Sequence, residues 1–290
     1  GTPYFVPYEK GRLLKTQMGC RTLLTDEFTG SIDGAMRTGN LHYCTINLPR
    51  LAIKANGDDD ALFENLRFLM DKIREILMIR REYAKKYLNL GLYKFLSQNV
   101  GDGPYYRIEN SSLSYAFVGL NEMLLSHTGK GILDKNSDKF GMKVIKEMNK
   151  ITKEFKADDD LRHSVFAAPA ESAAGRLSEL DIKKYGNNIP YNGPKEAPFY
   201  TNSSHTPVDA DINIFDKIRT ESKYHPLLPA GQILNLFMNE GSLDPVSLNK
   251  LSRKIVSKEQ VNYFCYSPQF TFCMNCNRQF FGLHDTCPNC

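Results

Sequence analysis

Two Cys-x-x-Cys pairs, Cys273-Met274-Asn275-Cys276 and Cys287-Pro288-Asn289-Cys290, stand ten residues apart at the end of the chain, and they constrain the local fold more than any other feature. Each pair can present two thiolates to one tetrahedral ion from a tight turn. The run between them, with Phe280, Phe281 and Gly282, can fold back as a hairpin, which is zinc-ribbon geometry. Four sulfur ligands leave no open coordination position, so an ion held there is structural rather than catalytic. Four free thiols, two disulfides or an iron–sulfur cluster are the alternatives, and the spacing favours zinc over each. His284, inside the loop, reads as a surface residue rather than a ligand.

Seven cysteines, an odd number with four clustered at one end, do not make a secreted disulfide framework. A reducing, cytoplasmic setting follows, and the Asn-x-Ser matches at Asn110 and Asn202 are then chance. Lys plus Arg total 37 against 33 Asp plus Glu, a net +4 that implies neither a nucleic-acid nor a membrane partner. The ribbon itself carries only Arg278, too little for phosphate binding. Apolar runs such as 62–70 are broken by charged or amide side chains, so no segment reads as a membrane span, and no signal peptide opens the chain. At 290 residues there is room for one large domain or two ordinary ones. The chain starts at Gly1 rather than Met and stops on Cys290, so both ends read as cut or processed.

Hydrophobic spacing predicts alternating strands and helices. A strand is expected at 41–48, then a long amphipathic helix from Asp58 to about Leu88, behind an Asp run suited to an N-cap. A buried strand at 114–119 feeds a helix at 121–126, and a second long helix follows Ser137. A short strand at 164–169 leads into a helix opening at Glu171 that Gly186 ends. Further helices are expected at 209–222 and 247–257. This alternation favours an α/β architecture with parallel strands. Residues 1–260 are expected to form one unit and 261–290 the ribbon.

Several segments resemble, in order and spacing, the anaerobic glycyl-radical ribonucleoside-triphosphate reductases. They are Met18-Gly19-Cys20-Arg21, Arg37-Thr38-Gly39-Asn40, Thr45-Ile46-Asn47-Leu48-Pro49-Arg50, Gly119-Leu120-Asn121-Glu122, Ala168-Pro169-Ala170-Glu171-Ser172, Tyr200-Thr201-Asn202-Ser203-Ser204-His205 and the double Cys-x-x-Cys close. Together they cover nearly the whole chain. The resemblance implies the second part of an α/β barrel of about ten strands, built from two parallel halves, with a finger loop carrying a cysteine through its centre. It also implies ribonucleoside triphosphate substrates, nucleotide effectors, a homodimer, and a separate iron–sulfur activating enzyme that uses S-adenosylmethionine.

The chemistry fits the residue types. Removing a ribose 2′-hydroxyl is hard at an unactivated carbon, and a thiyl radical solves this by taking the neighbouring 3′-hydrogen, inside a closed site that excludes water. Cys20 is the candidate, beside Gly19, which permits a tight turn; alone, the segment would read as an ordinary loop thiol. Asn40 matches an active-site asparagine of the family, whose amide can bond ribose hydroxyls or the reductant without titrating; Gly39-Asn40 is also ordinary turn chemistry. Cys44, in a predicted strand, reads as a small buried hydrophobe, and Cys265 as structural. Ser172 and Ala173, at a strand-to-helix turn, are candidates for holding substrate phosphates on free backbone N–H groups, although capping segments use the same residue types. Asn202 and Ser203 are candidates for lining the nucleotide pocket.

The family's glycyl radical sits in an Arg-Val-Ser-Gly-Tyr-like segment that this sequence does not contain, so no glycine here is assigned to it and the chain is expected to be inactive alone. A different glycyl-radical enzyme is one rival reading, disfavoured because Cys20 lacks the adjacent cysteine typical of formate lyases. A non-catalytic ribbon-containing fragment or binding module is the other.

Overall fold

The computed structural model describes residues 4–5, 16–19, 21–24, 37–101, 103–238 and 244–290. Short strands β1 (Tyr4–Phe5), β2 (Thr16–Met18) and β3 (Thr22–Leu24) precede the long β4 (Asn40–Asn47). Helices α1 (Leu48–Ala55) and α2 (Asp59–Asn89) follow, then a small hairpin of β5 (Asn99–Val100) and β6 (Gly103–Pro104). Next come β7 (Ser112–Val118), α3 (Leu120–Thr128), α4 (Lys135–Asp159), β8 (Arg162–Phe166), α5 (Glu171–Tyr185) and α6 (Ile214–Ser222). The chain closes with β9 (Ile233–Met238), α7 (Pro245–Lys258), β10 (Tyr263–Pro268), β11 (Phe270–Cys273) and β12 (Arg278–Phe281).

Strands β4, β7 and β8 are parallel neighbours in that order, and β10 pairs in parallel with β9. Two backbone bonds carry the wall from β8 to the run entering β9: Ala230 N–H to the Val165 carbonyl at 3.2 Å and Ala167 N–H to the Gly231 carbonyl at 3.1 Å. The parallel strands therefore stand side by side in sequence order, with helices between them, as the α/β expectation required. β1 lies antiparallel against β10.

The wall has two unlike faces. On one, Ile46, Leu113, Tyr115, Phe117 and Val165 join Leu66, Met70, Val144, Met148 and Phe155 of α2 and α4 in the main core. Each fully buried aliphatic side chain there contributes about 1.5–3 kcal/mol. Beyond β8 the helix-covered face continues with Leu234, Leu236 and Phe264 packed under Ile218 and Ile255. The other face is largely polar at its start. Register sets Asn40, Ser112 and Arg162 in one row and Tyr43, Ser114 and Ser164 in the next. Above them Ala116, Phe166, Ala168 and Ala230 make an apolar cluster.

Helices α1, α2, α4, α6 and α7 begin where a short polar side chain serves backbone donors. Asp58 accepts the Ala61 N–H, so the long helix begins at Asp59 as expected. Asp134 accepts from Asn136 and Ser137, which starts α4 before Ser137. Asn213 accepts from Phe215 and Asp216, which starts α6 later than residue 209. The strand expected at 164–169 is observed at Arg162–Phe166, and the helix from Glu171 ends at Gly186 as read. Strands β9 and β10 and helix α1 went unread. The run 233–238 is too short for its period to tell strand from helix, whereas Pro49 in the first turn of α1, behind the Asn47 cap, is a start signal that could have been used. β10 lies in the wall beside β9, and the ribbon hairpin begins at Phe270. No helix among the described residues is long and apolar enough to cross a membrane.

Candidate functional site

β2 and β3 form an antiparallel ribbon in which Met18 faces Thr22. Gly19, at φ +65°, and Arg21 lie in the connection between them; Cys20 lies outside the described residues. The base of this connection is fixed to the wall. Leu23 N–H donates to the Ala230 carbonyl at 2.8 Å, and Gly231, at φ +110°, lets the two backbones meet. A Cβ at that glycine would stand 2.1 Å from the Arg21 carbonyl oxygen.

Arg21 is buried and reaches across to the segment 200–206. Its Nη1 donates to Asn202 Oδ1 at 3.1 Å and lies 3.3 Å from His205 Nε2. That segment is itself tied down over the ends of β4 and β7. Gly119 and Leu120 N–H groups donate to the Thr201 and Ser203 carbonyls, and the Thr201 N–H and hydroxyl both donate to buried Glu122. Tyr200 donates its hydroxyl to Asp181 at 2.8 Å, where Asn47 and Arg50 also converge. A cavity of about 290 Å³ opens between these parts, lined among others by Arg21, Glu171, Ala174, Asn202, His205 and Lys217. Two cations and one carboxylate stand among neutral polar side chains such as Asn202 and Asn235 and apolar ones such as Phe199 and Phe237, a lining that suits an anionic, partly apolar ligand.

Behind the cavity, Glu221 is fully buried. Its Oε1 accepts from the Thr206 N–H at 3.0 Å, the Thr206 hydroxyl at 2.9 Å and Lys217 Nζ, while Oε2 lies 2.8 Å from His205 Nδ1. Burial pushes this carboxyl up, but His205 and then Lys217 outweigh it and hold the group down to about 2. Burial is the main cause lowering His205, against the pull of Glu221. His225, buried nearby with Nδ1 accepting the Asn262 N–H, is pushed down to about 3 by the same desolvation.

The expected site residues are placed as follows. Asn40 opens β4 on the polar face of the wall, and its Oδ1 is buried without a hydrogen-bond partner, as are the hydroxyls of Ser112 and Ser114 on the same face. Ser172 and Ala173 occupy the first turn of α5. Ala170, in the left-handed region at φ 46°, turns the chain sharply into that helix, and no side chain caps it. Glu171 and Ala174, from the same turn, reach the cavity. Asn202 lines the cavity. Ser203, at φ 46° and fully buried, stands behind the wall, its hydroxyl donating to the Ala168 carbonyl at 3.0 Å. Arg21, His205, Lys217 and Glu221 were not singled out from the sequence; the i, i+4 spacing of Lys217 and Glu221 was legible, but nothing in it marks the pair as buried.

At the other end, β11 and β12 form an antiparallel hairpin with Cys273 opposite Arg278. The sulfurs of Cys273, Cys276, Cys287 and Cys290 all lie within 4.8 Å of one another, with 3.6 Å for Cys273 to Cys290 and for Cys276 to Cys287. Four thiolates about 2.3 Å from a tetrahedral ion would stand roughly 3.8 Å apart, so the set fits a metal. The turns support this. Cys287 Sγ accepts the N–H groups of Asn289 and Cys290, both at 3.3 Å. Cys273 is brought down to about 6 by the Cys276 N–H, the Cys287 thiol and the Asn275 N–H. The His284 ring contacts the Phe281 carbonyl and lies outside this set. Cys44 is half-buried against the main core, and Cys265 is buried with its thiol on Asn235 Oδ1 at 3.0 Å.

Comparison with known proteins gives one answer. The family model described as anaerobic ribonucleoside-triphosphate reductase matches residues 1–290. Curated reductases of that description from Haemophilus influenzae and Escherichia coli are 24% identical over 297 residues and 26% identical over 302; each alignment covers 95% of this chain and 40% of the relative. The chain thus spans about two fifths of the length of the relatives it matches. Among solved structures, the anaerobic ribonucleotide reductase of Thermotoga maritima in complex with dATP and CTP superposes with a TM-score of 0.73 at 20% identity, covering 88% of this chain and 40% of that one. By its sequence along the full 290 residues, and by its fold, the chain belongs to the anaerobic ribonucleoside-triphosphate reductase family.

Proposed function

We propose that this chain supplies the second half of the catalytic barrel, with a terminal zinc ribbon, to a cytoplasmic enzyme that reduces ribonucleoside triphosphates to deoxyribonucleoside triphosphates. The family match over residues 1–290 carries this reading. The polar rows on the face of the parallel wall away from α2 and α4 support it, as a lining suited to a polar substrate. We divide the chain near residue 269, where the wall gives way to the ribbon hairpin.

Cys20, as a thiyl radical, takes the ribose 3′-hydrogen. The 2′-hydroxyl then leaves as water with one proton, a reductant supplies two electrons and a second proton that ends on C2′, and Cys20 returns the hydrogen to C3′. A glycyl radical, formed by an iron–sulfur activating enzyme using S-adenosylmethionine, supplies the oxidising equivalent to Cys20. Asn40 holds the sugar hydroxyls or the reductant, and its partnerless buried Oδ1 is consistent with that work. Ser172 and Ala173 bind the phosphates through the first-turn N–H groups of α5, which no side chain caps. Asn202 contacts the nucleotide in the cavity, and Ser203 acts behind it by holding the Ala168 carbonyl. Zinc on Cys273, Cys276, Cys287 and Cys290 holds the ribbon. The complex of the Thermotoga maritima protein with dATP and CTP supports nucleotide effectors here as well, and a homodimer is the expected assembly.

The test uses the longest protein that contains this chain, purified and activated without oxygen. Deoxynucleotide should form from ribonucleoside triphosphate, and Cys20→Ala or Cys20→Ser should abolish turnover while leaving the glycyl radical signal intact. Product from either variant would remove Cys20 from the mechanism, and no product from the activated wild-type protein would remove the reading itself.

A further inference from the structure

We propose that His205 is a positioning residue: held by Glu221, it fixes the Arg21 side chain and through it the connection that carries Cys20. This rests on the reductase reading for its consequence, though not for its geometry.

The hydrogen-bond network dictates the tautomer. Arg21 can only donate, and Glu221, as a carboxylate, can only accept. His205 Nδ1 lies 2.8 Å from Glu221 Oε2, so Nδ1 carries the proton and donates it; Nε2 is left with its lone pair facing Arg21 Nη1 at 3.3 Å. Three donors on Glu221 Oε1, from the Thr206 N–H, the Thr206 hydroxyl and Lys217, settle the orientation of that carboxylate, so Oε2 has one direction in which to hold the ring. Asn202 Oδ1 takes the second bond from Arg21 Nη1. The guanidinium is therefore held by the segment 202–205 on one side, while on the other the Arg21 backbone runs so close to Gly231 that a Cβ there would stand 2.1 Å from the Arg21 carbonyl oxygen, and the Leu23 N–H donates to the Ala230 carbonyl at 2.8 Å. Arg21 directly follows Cys20 in sequence. A radical carrier must meet its hydrogen within a few tenths of an ångström, and a misplacement of about 1 Å costs on the order of 100-fold in rate. Through its side chain Arg21 is tied to Asn202 and His205, and in the proposal this tie is what steadies its neighbour in sequence.

Two substitutions separate this role from plain packing. His205→Gln places an acceptor near the Nε2 position and keeps the Arg21 contact while losing the bond to Glu221. His205→Asn reaches only the Nδ1 position, keeping Glu221 satisfied and releasing Arg21. In the activated enzyme we expect His205→Asn to lower kcat by about 10- to 100-fold with KM within about threefold and the glycyl radical amplitude unchanged, and His205→Gln, which keeps the Arg21 contact without the hold of Glu221, to lower kcat by a clearly smaller factor, about 5- to 10-fold. Arg21→Gln combined with His205→Asn should be no worse than Arg21→Gln alone, because the histidine acts through the arginine. A purely structural histidine predicts the reverse order, with Asn tolerated and Gln impaired, and that result would overturn the proposal. Alkylation of Cys20, followed by peptide mass spectrometry, reads the same contrast without turnover: its rate should rise about tenfold in His205→Asn and little in His205→Gln. Equal rates in the two variants would refute the latch even if the reductase reading stands, whereas an inactive wild type with the expected alkylation contrast would refute the reductase reading and leave the latch.

Discussion

The wall around Arg21 and the terminal ribbon are held together by opposite means. Around Arg21 the work is done by buried charge: Glu221, Asp181 and Glu122 are almost fully enclosed, each with several donors, inside a wall whose helix-covered face is packed into two apolar clusters. The ribbon has almost no interior. Phe270, Phe272, Met274, Phe281 and Leu283 are all exposed, and only the convergence of four sulfurs gives the hairpin a centre. One region has an interior of packed side chains and the other only a cluster of four cysteines that could hold a metal, so the two should fail under different insults.

Metal removal makes the largest difference. Structural zinc sites of this kind contribute on the order of 10–16 kcal/mol to the folding of small domains, so chelation, or Cys276→Ser, is expected to strip hydrogen-exchange protection from 270–290 while β7 and α4 keep theirs. Retained protection in a metal-free ribbon would break the comparison at its root. Next in size is Gly231→Ala. The new Cβ would meet backbone, the Arg21 carbonyl oxygen at 2.1 Å and the Leu23 nitrogen at 2.7 Å, at φ +110°. A loss of about 3 kcal/mol or more is expected by denaturant titration. Gly57→Ala, at φ +83° with nothing within 4 Å, should lose only about 1–2 kcal/mol, and equal losses would mean that the clamp on the Arg21 connection is not real.

What was legible in the sequence follows the same division. The four-cysteine cluster could be read because its spacing is local: two turns and a hairpin bring all four sulfurs together. Most of the long helices could be read because Asp58, Gly186 and the 3.6-residue spacing are local as well. The cavity could not. Arg21 meets His205 across 184 residues, and Asn47 meets Asp181 across 134, so nothing near either residue announces the pairing. Burial of a Lys–Glu pair at i, i+4 is likewise set by what packs over it, here the turn at Thr206 and the strand β9. Strands β9 and β10 were missed because runs such as Ile233–Met238 have no clear period; only their pairing with each other and with the wall makes them strands.

Acid should weaken the wall by a smaller, graded amount, and the sign can be worked out group by group. Glu221 is held down to about 2 in the fold, so its contribution is full above its ordinary value of 4.5 and is lost as pH falls toward 2. His225 is held down to about 3, so the unfolded chain takes up a proton near 6.5 that the fold refuses until about pH 3; His205 is lowered for the same reason. Stability should therefore begin to fall below about pH 6.5, by about 1.4 kcal/mol per pH unit for each histidine fully in that window. Denaturant midpoints at pH 7, 5.5 and 4.5 test this, and His225→Gln should flatten the slope. An unchanged slope would mean that His225 is free to protonate in the fold.

The smallest effect is the most discriminating between the two modes of support. Phe281 is a large apolar side chain in a strand, paired opposite Phe270, and by sequence alone it reads as core as readily as Phe264 does. In the fold Phe281 is 70% exposed and Phe264 is fully buried beneath α6 and α7. If the metal is what holds the ribbon, Phe281→Ser should change the stability of the metal-loaded ribbon by less than about 0.5 kcal/mol, whereas Phe264→Ser should cost about 3–5 kcal/mol in the wall. Local stability from native-state hydrogen exchange, with amides reported separately for 270–290 and for β9 and β10, makes the measurement. A loss above about 2 kcal/mol at Phe281 would mean that the exposed aromatics are covered in the working protein, because an already solvated ring has little burial energy to lose.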